Sequence, residues 1–189
     1  MQRTINELIE TPRMYFNNDY PHENSVRGLQ MLVTDHVKKD FVIAEVGSFS
    51  GVSSEVFALN CKELHCIDAW EPYWEIEDPS VMINAEFAFD KMSANYSHIR
   101  KVKSTSANAV GRYPDGFFDL VYIDAAHDYE NAKRDIILWM PKLKAGGIMA
   151  GHDYRYDPNI QVYEVVEEIF GKTYKIEKYP DSSWAVKLK

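Results

Sequence analysis

Short apolar runs recur along the chain, and between them lie longer segments with an apolar residue at every third or fourth position. The runs "FVIAEV" (41–46), "LHCI" (64–67), "IRKVK" (99–103), "FDLVYI" (118–123) and "GIMA" (147–150) are bounded by Gly, Asp, Ser or Pro. Their β-branched and apolar content predicts five strands. Tyr129, Ala132, Ile136, Met140 and Leu143 keep the spacing of a one-faced helix, as do Val52, Val56 and Leu59. Val26, Leu29, Val33 and Val37 mark a helix ahead of the first strand. Strands alternating with helices imply a mostly parallel sheet covered on both faces, with right-handed crossovers.

The pattern changes toward the end of the chain. In "DPNIQVYEVVEEIFG", Asp157 is the expected N-cap, Pro158 the first helical position and Gly171 the residue past the helix. "TYKIEKYPDSSWAVKLK" (173–189) then alternates as two strands around "PDSS", a hairpin that must be antiparallel. Residues 71–98 are an excursion: "EPYWEIEDPS" is acidic and aromatic, and "NAEFAFDKMSANY" has a helical look. With 189 residues and no repeats, one domain over 1–189 is expected, with residues 1–39 as an N-terminal helical segment.

Charge narrows the partners. The formal net charge is -8, which disfavours a nucleic-acid partner because phosphate backbones need a basic surface. The lysines in "CKELHC" and "MPKLKAG" are short, interrupted patches that fit solvated faces. Cys61 and Cys66 are too few for a disulfide framework or a zinc site. No apolar run is long enough to span a membrane, and "MQRTINELIE" lacks the apolar core of a signal peptide. The expected setting is the cytoplasm, with no membrane partner.

Chemistry-bearing residues gather where strands end. The first strand runs into "EVGSFSGVSS", where Glu45, Gly47 and Gly51 precede a helix start and backbone N–H groups can approach a ligand. The dinucleotide pattern G-x-G-x-x-G is absent. The second strand ends in Asp68, twenty-three residues after Glu45, where α/β cofactor folds hydrogen-bond a ribose diol. Trp70 either covers an adenine face or caps the core. Asp124, His152 and Asp153 also fall at carboxyl ends of strands, with His127 in the turn beyond one of them. One such residue is punctuation; several on one edge of a parallel sheet describe a site. Asp128 and Asp135 belong to the following helix, Asp128 as an acid of its first turn. His22, His36, His65 and His98 have no such context.

"EVGSFSG", "IDAW" and, above all, "FDLVYIDAAHDYENAKRDIILWMPKLKAGGIMAGHDY" resemble the class I S-adenosylmethionine-dependent methyltransferases. Within them the chain is similar to the small-molecule and sugar O-methyltransferase group of macrocin type, over roughly residues 40–189. The resemblance implies a Rossmann-like α/β fold of seven strands in the order 3-2-1-4-5-7-6, with an antiparallel last strand. It also implies that Glu45, Gly47, Ser48 and Gly51 hold the methionine part of S-adenosyl-L-methionine and Asp68 its ribose. Ala69, Trp70, Thr105 and Ser106 would border the rest of the cofactor. Family members often carry an acid before the serine of "STSANA", where this chain has Thr105. In metal-dependent members an acid at Asp124 and an acidic pair at 152–153 bind magnesium, and a histidine at 127 acts as base. Here the pair is His152–Asp153, and imidazole is a poor ligand for so hard an ion, so Mg2+ or another divalent cation is left open.

The expected activity is methyl transfer to a hydroxyl of a small molecule, such as a sugar. His127 would take the proton, and Asp124, His152 and Asp153 would hold the cation. Two competing readings are an iron(II) hydroxylase using His127, His152 and Asp153, and a cofactor-binding module without catalysis. A nicotinamide oxidoreductase is weaker still. Residues 1–25 and 71–98 are the expected acceptor walls. Tyr20, Tyr73 and Trp74 could stack on a ring or pack an interface, and a second copy could complete the lid, making a homo-oligomer.

Overall fold

The computed structural model describes residues 26–72 and 78–189. Its strands are β1 (Val42–Val46), β2 (Glu63–Asp68), β3 (Ile99–Lys103), β4 (Phe118–Ile123), β5 (Leu143–Gly151), β6 (Glu177–Lys178) and β7 (Trp184–Lys187). They form one sheet in the order β3-β2-β1-β4-β5-β7-β6. The first five pair in parallel, and β7 pairs antiparallel with both β5 and β6. This is the seven-stranded Rossmann-like order that the family resemblance implied.

The helices are α1 (Arg27–His36), α2 (Val52–Ala58), α3 (Pro79–Ser93), the single turn α4 (Ser106–Ala109), α5 (Tyr129–Trp139) and α6 (Val162–Phe170). Side chains alternate across a strand, so the two faces of the sheet have separate cores. Leu120 and Tyr122 of β4 join Leu29, Phe57 and Phe89 on the face covered by α1, α2 and α3. Val121 and Ile123 join Ile136, Trp139, Val165 and Phe170 on the opposite face, under α5 and α6.

The largest departures from the expected boundaries have local reasons. Helix α5 stops at Trp139 because Pro141 has no N–H to continue the ladder. Met140–Lys142 tighten into a 3-10 turn, and Leu143 is the first residue of β5 instead of the last of a helix. β5 therefore runs over nine residues, and its pairing with β4 slips between Phe118 and Leu120 near the left-handed Gly146. At the other boundary, Asp157 does not cap a helix. Its carboxylate accepts from Asn159 N at 2.9 Å and its carbonyl from Ile160 N at 3.1 Å, which closes a separate turn. Helix α6 starts only at Val162, with Gln161 as N-cap, and Gly171 ends it in right-handed backbone.

Helix α1 begins after Val26, which supplies no capping side chain. Its cap comes from the turn between β6 and β7: Asp181 accepts from Leu29 N at 2.8 Å and from Ser183 N at 3.0 Å. A Cβ on Gly28 would lie 2.0 Å from Asp181 Oδ1, so glycine lets the carboxylate reach the helix end. Among the described residues no helix is long and apolar enough to cross a membrane.

Candidate active site

The carboxyl ends of β1, β2, β4 and β5 meet along one edge, and short backbone bonds lock them in step. Gly47 N donates to Ile67 O at 2.8 Å, Asp124 N to Val46 O at 2.7 Å, and His152 N to Ile123 O at 3.1 Å. Gly47 has φ +92°, and a Cβ there would lie 1.9 Å from Asp124 O. Glycine is thus required twice, for the left-handed turn and for the approach of the next strand end. Phe49, Trp70 and Asp153 also have positive φ, at 44°, 49° and 60°. Left-handed non-glycine residues cost ~1–3 kcal/mol each and collect where a fold holds side chains for function.

Beneath the glycine turn, Glu45 is fully buried. Its Oε2 accepts from Ser48 Oγ at 2.8 Å and from Ser54 Oγ, whereas its Oε1 finds no hydrogen-bond donor among the described residues. Burial pushes the Glu45 carboxyl up, against the opposing pull of the neighbouring Ser53, Ser54 and Ser48 hydroxyls. Asp68 organises the same turn from the neighbouring strand. It accepts from Ser48 N at 3.0 Å, Phe49 N at 2.8 Å and Trp70 N at 2.7 Å. Burial raises its pKa, and those three N–H groups work the other way.

Ala69 is half-buried just beyond β2. Trp70 is buried, donates from Nε1 to Phe49 O at 2.7 Å and packs on Phe89 with ring centroids 5.0 Å apart. Of its two readings, core capping is the one its packing exhibits. Thr105 N-caps α4, accepting from Asn108 N at 3.4 Å. Ser106 donates to Asp135 Oδ1 at 2.7 Å and accepts from Trp139 Nε1 at 2.8 Å. Asp135, which the sequence set apart from the strand ends, is therefore a buried anchor between α4 and α5, with a pKa raised by its burial.

The second half of the edge is a tight group of acids and imidazoles. One ligand atom each from Asp124, His152 and Asp153 lie within 4.8 Å of one another. His127 Nε2 is 3.0 Å from Asp153 Oδ2 and 3.8 Å from Asp124 Oδ1. His152 Nδ1 is 3.2 Å from the same Asp153 oxygen and 3.8 Å from Asp124 Oδ1. Asp153 is buried, which works to raise its pKa, but the two imidazoles outweigh this and hold it well below the usual carboxylate range. Its other oxygen faces Arg155 Nη1 at 3.4 Å. Nothing in the sequence pattern marked Arg155, because its place follows from the left-handed turn at Asp153.

Asp128 N-caps α5, accepting from Asn131 N at 3.1 Å. Its loop is tied to α6 by Gln161 N, which donates to His127 O at 2.9 Å. The remaining described histidines sit in structural contacts. His36 meets Glu177 at 3.1 Å, His65 meets Tyr113 OH at 3.2 Å, and His98 meets Ala58 O at 2.8 Å. His22, Tyr20, Tyr73, Trp74 and the expected acceptor wall at 1–25 lie outside the described residues.

The donor set fits a single divalent ion. Two carboxylates and one imidazole, with ligand bonds of ~2.0–2.2 Å, would surround one ion after a small contraction. The imidazole shifts preference from magnesium toward the first-row divalent metals.

Residues 44–154 match the family model described as a methyltransferase domain. Among solved structures, the chain is similar to the YcgJ protein of Bacillus subtilis, at 16% identity and a TM-score of 0.51 over 66% of this chain. It spans about half of that protein's length, 49%. It is also similar to the N-methyltransferase NodS from Bradyrhizobium japonicum WM9 in complex with S-adenosyl-L-homocysteine. There the identity is 19% and the TM-score 0.59, over 89% of this chain and 87% of that one. A caffeoyl-CoA O-methyltransferase candidate from Staphylococcus aureus matches at 19% identity and a TM-score of 0.57, over 85% of this chain and 80% of that one. At these identities the likeness is one of fold.

Proposed function

The chain belongs to the methyltransferase-domain family and is an S-adenosylmethionine-dependent methyltransferase; from that premise we propose that its acceptor is a hydroxyl of a small molecule, a sugar being one such, and that a divalent cation assists. The observation that carries this reading is the pairing of His127 with Asp153 at 3.0 Å, beside Asp124 and His152, at the carboxyl ends of β4 and β5. A hydroxyl acceptor must lose a proton, and this group can take one and stabilise the charge it brings.

S-adenosylmethionine supplies a methyl on a positively charged sulfur that is already a good leaving group. Gly47, Ser48 and Gly51 would hold its methionine end, with the unsatisfied Glu45 Oε1 as a matching acceptor for an ammonium group, and Asp68 would hold its ribose. In the transfer, His127 accepts the acceptor's hydroxyl proton while the oxygen–carbon bond forms. The carbon–sulfur bond breaks and its electron pair returns to sulfur. Asp153 orients the His127 ring and offsets the imidazolium charge. A cation held by Asp124, His152 and Asp153 would lower the acceptor's pKa and fix its oxygen. The hydroxylase and nicotinamide readings do not survive the family assignment.

The test is a chelator series with cofactor binding followed in parallel. Chelation should abolish transfer to hydroxyl acceptors while S-adenosylhomocysteine affinity is kept, and manganese or magnesium should restore turnover. Asp153→Asn should reproduce the chelated state. Full turnover in metal-free buffer would remove the cation and leave the acids as positioning groups.

A further inference from the structure

Helix α3 has a second apolar face that its own sheet does not use. Its inner side, Met82, Ala85 and Phe89, is buried. Its outer side exposes Ile83 at 65% and Phe87 at 72%, one turn apart. The other exposed large apolar residues among those described, Met31, Ile137 and Tyr156, stand on separate elements. Scattered apolar residues need no explanation, whereas adjacent ones on successive turns form a patch. Ser80, Ile83, Phe87, Asp90 and Ala94, all exposed, follow one another at spacings of three, four, three and four. That is the seam of a helix packed on another helix.

We propose that this face pairs with α3 of a second copy of the chain, antiparallel about a two-fold axis level with Ala85. A two-fold contact must be self-complementary, and the stretch of this seam from Ser80 to Asp90 is. In that register Ile83 faces the partner's Phe87 and Phe87 faces the partner's Ile83, so apolar meets apolar on both sides of the axis. Ser80 falls opposite the partner's Asp90, where a hydroxyl can donate to the carboxylate. Asp90 thereby also lies near the positive start of the partner helix, which favours an acid. A parallel pairing would instead align the two helix dipoles, whereas Lys101 at 2.6 Å offsets the Asp90 charge in either register. Glu86, beside the axis, would approach its own copy, but Lys101 and Lys103 already hold it at 2.8 and 2.6 Å and offset its charge.

The contact bears on the cofactor end of the site. A Cβ on Gly51 would lie 2.4 Å from Met92 Cε and 3.1 Å from Phe89 Cδ2. Helix α3 is thus the wall behind the glycine turn, and pairing its outer face braces that wall. The pairing depends on neither the acceptor nor the cation proposed above.

Sedimentation velocity over a wide concentration range tests it. One helix pair is a small interface, below ~1,200 Å² in total, so the wild type should shift from monomer to dimer as concentration rises. Phe87→Asp should stay monomeric throughout, with an unchanged circular dichroism spectrum and S-adenosylhomocysteine affinity measured at low concentration. Ser80→Lys should tighten the dimer about two- to tenfold, because the new contact with the partner's Asp90 occurs twice. Ser80→Asp should weaken it by a similar factor, although an acid in the first turn suits the helix itself. A wild type that stays monomeric would overturn the proposal, whether phosphatidylserine vesicles or the chain's own residues 1–25 take the face. So would a dimer that survives Phe87→Asp. A dimer weakened by Ser80→Lys would overturn the antiparallel register, since only a parallel pair sets the two lysines together.

Discussion

His127 depends for its chemistry on two neighbours that approach it from different strands. Asp124 follows β4 and Asp153 follows β5, and both carboxylates lie within 4 Å of its Nε2. As the proposed base it should contribute ~10²–10⁴-fold to turnover. His127→Ala is therefore expected to keep its S-adenosylhomocysteine affinity and lose most of kcat, with the wild-type rate falling at acid pH as the imidazole protonates. Near-normal kcat across the pH range would return His127 to a structural role. Asp68→Ala should weaken S-adenosylmethionine by about tenfold or more, through lost charge-assisted hydrogen bonds. Because Asp68 also holds Ser48 N and Phe49 N, Asp68→Asn separates the two contributions: calorimetry in which both variants bind like wild type would remove Asp68 from the cofactor site. At this scale the sequence was informative where a polar residue closed an apolar run, as Asp68, Asp124, His152 and Asp153 do. It was silent on Ser54 and Arg155, whose partners are reached only through tertiary packing.

Elements were legible where period and punctuation agreed. β3 and β4 have the boundaries their apolar runs predicted, because Gly, Asp or Ser residues break the pattern at both ends. Leu143 misled because it continues the spacing of α5 across Pro141, and a missing N–H outranks a favourable spacing. Asp157–Pro158 misled in the reverse way: a good capping pair was used for a turn of its own. The cap of α1 could not be read at all, since Asp181 lies 152 positions from the N–H it satisfies. Asp181→Ala should cost about 1–2 kcal/mol, the range of lost N-caps, with the loss confined to α1 and the terminal hairpin. Hydrogen exchange resolved by peptide would check this, and protection lost evenly over the whole sheet would contradict it.

Across the whole molecule the buried acids pull stability in opposite directions with pH. Glu45, Asp68 and Asp135 have pKa values raised by burial, so the folded state keeps their protons longer than the unfolded chain does. Their contribution is greatest below the ordinary carboxylate values of 3.8 and 4.5 and declines as pH rises through their folded values. Asp153 is depressed, so its contribution is present above 3.8 and is lost as pH falls through its folded value. Glu45→Gln should match wild-type stability in acid and gain on it progressively above pH 4.5, as read by urea midpoints at a series of pH values. Parallel curves would mean that Glu45 is not buried with its proton. The same variant tests the cofactor assignment, since a lost ammonium contact weakens S-adenosylmethionine at the pH values where the Glu45 carboxyl is ionised.

The distant cap of α1 also has a consequence in time. A ribosome delivers residue 29 long before residue 181, and a domain generally folds as a unit. Until the final hairpin has emerged, the start of α1 lacks the carboxylate that satisfies Leu29 N. Strand β7, which must enter between β5 and β6, arrives with the same segment. The earliest helix and the last strand described are thus completed together, and a chain stalled before residue 181 would leave the helix end open to proteases. Limited proteolysis of arrested chains of increasing length should show protection of α1 appearing only once that turn has cleared the exit tunnel.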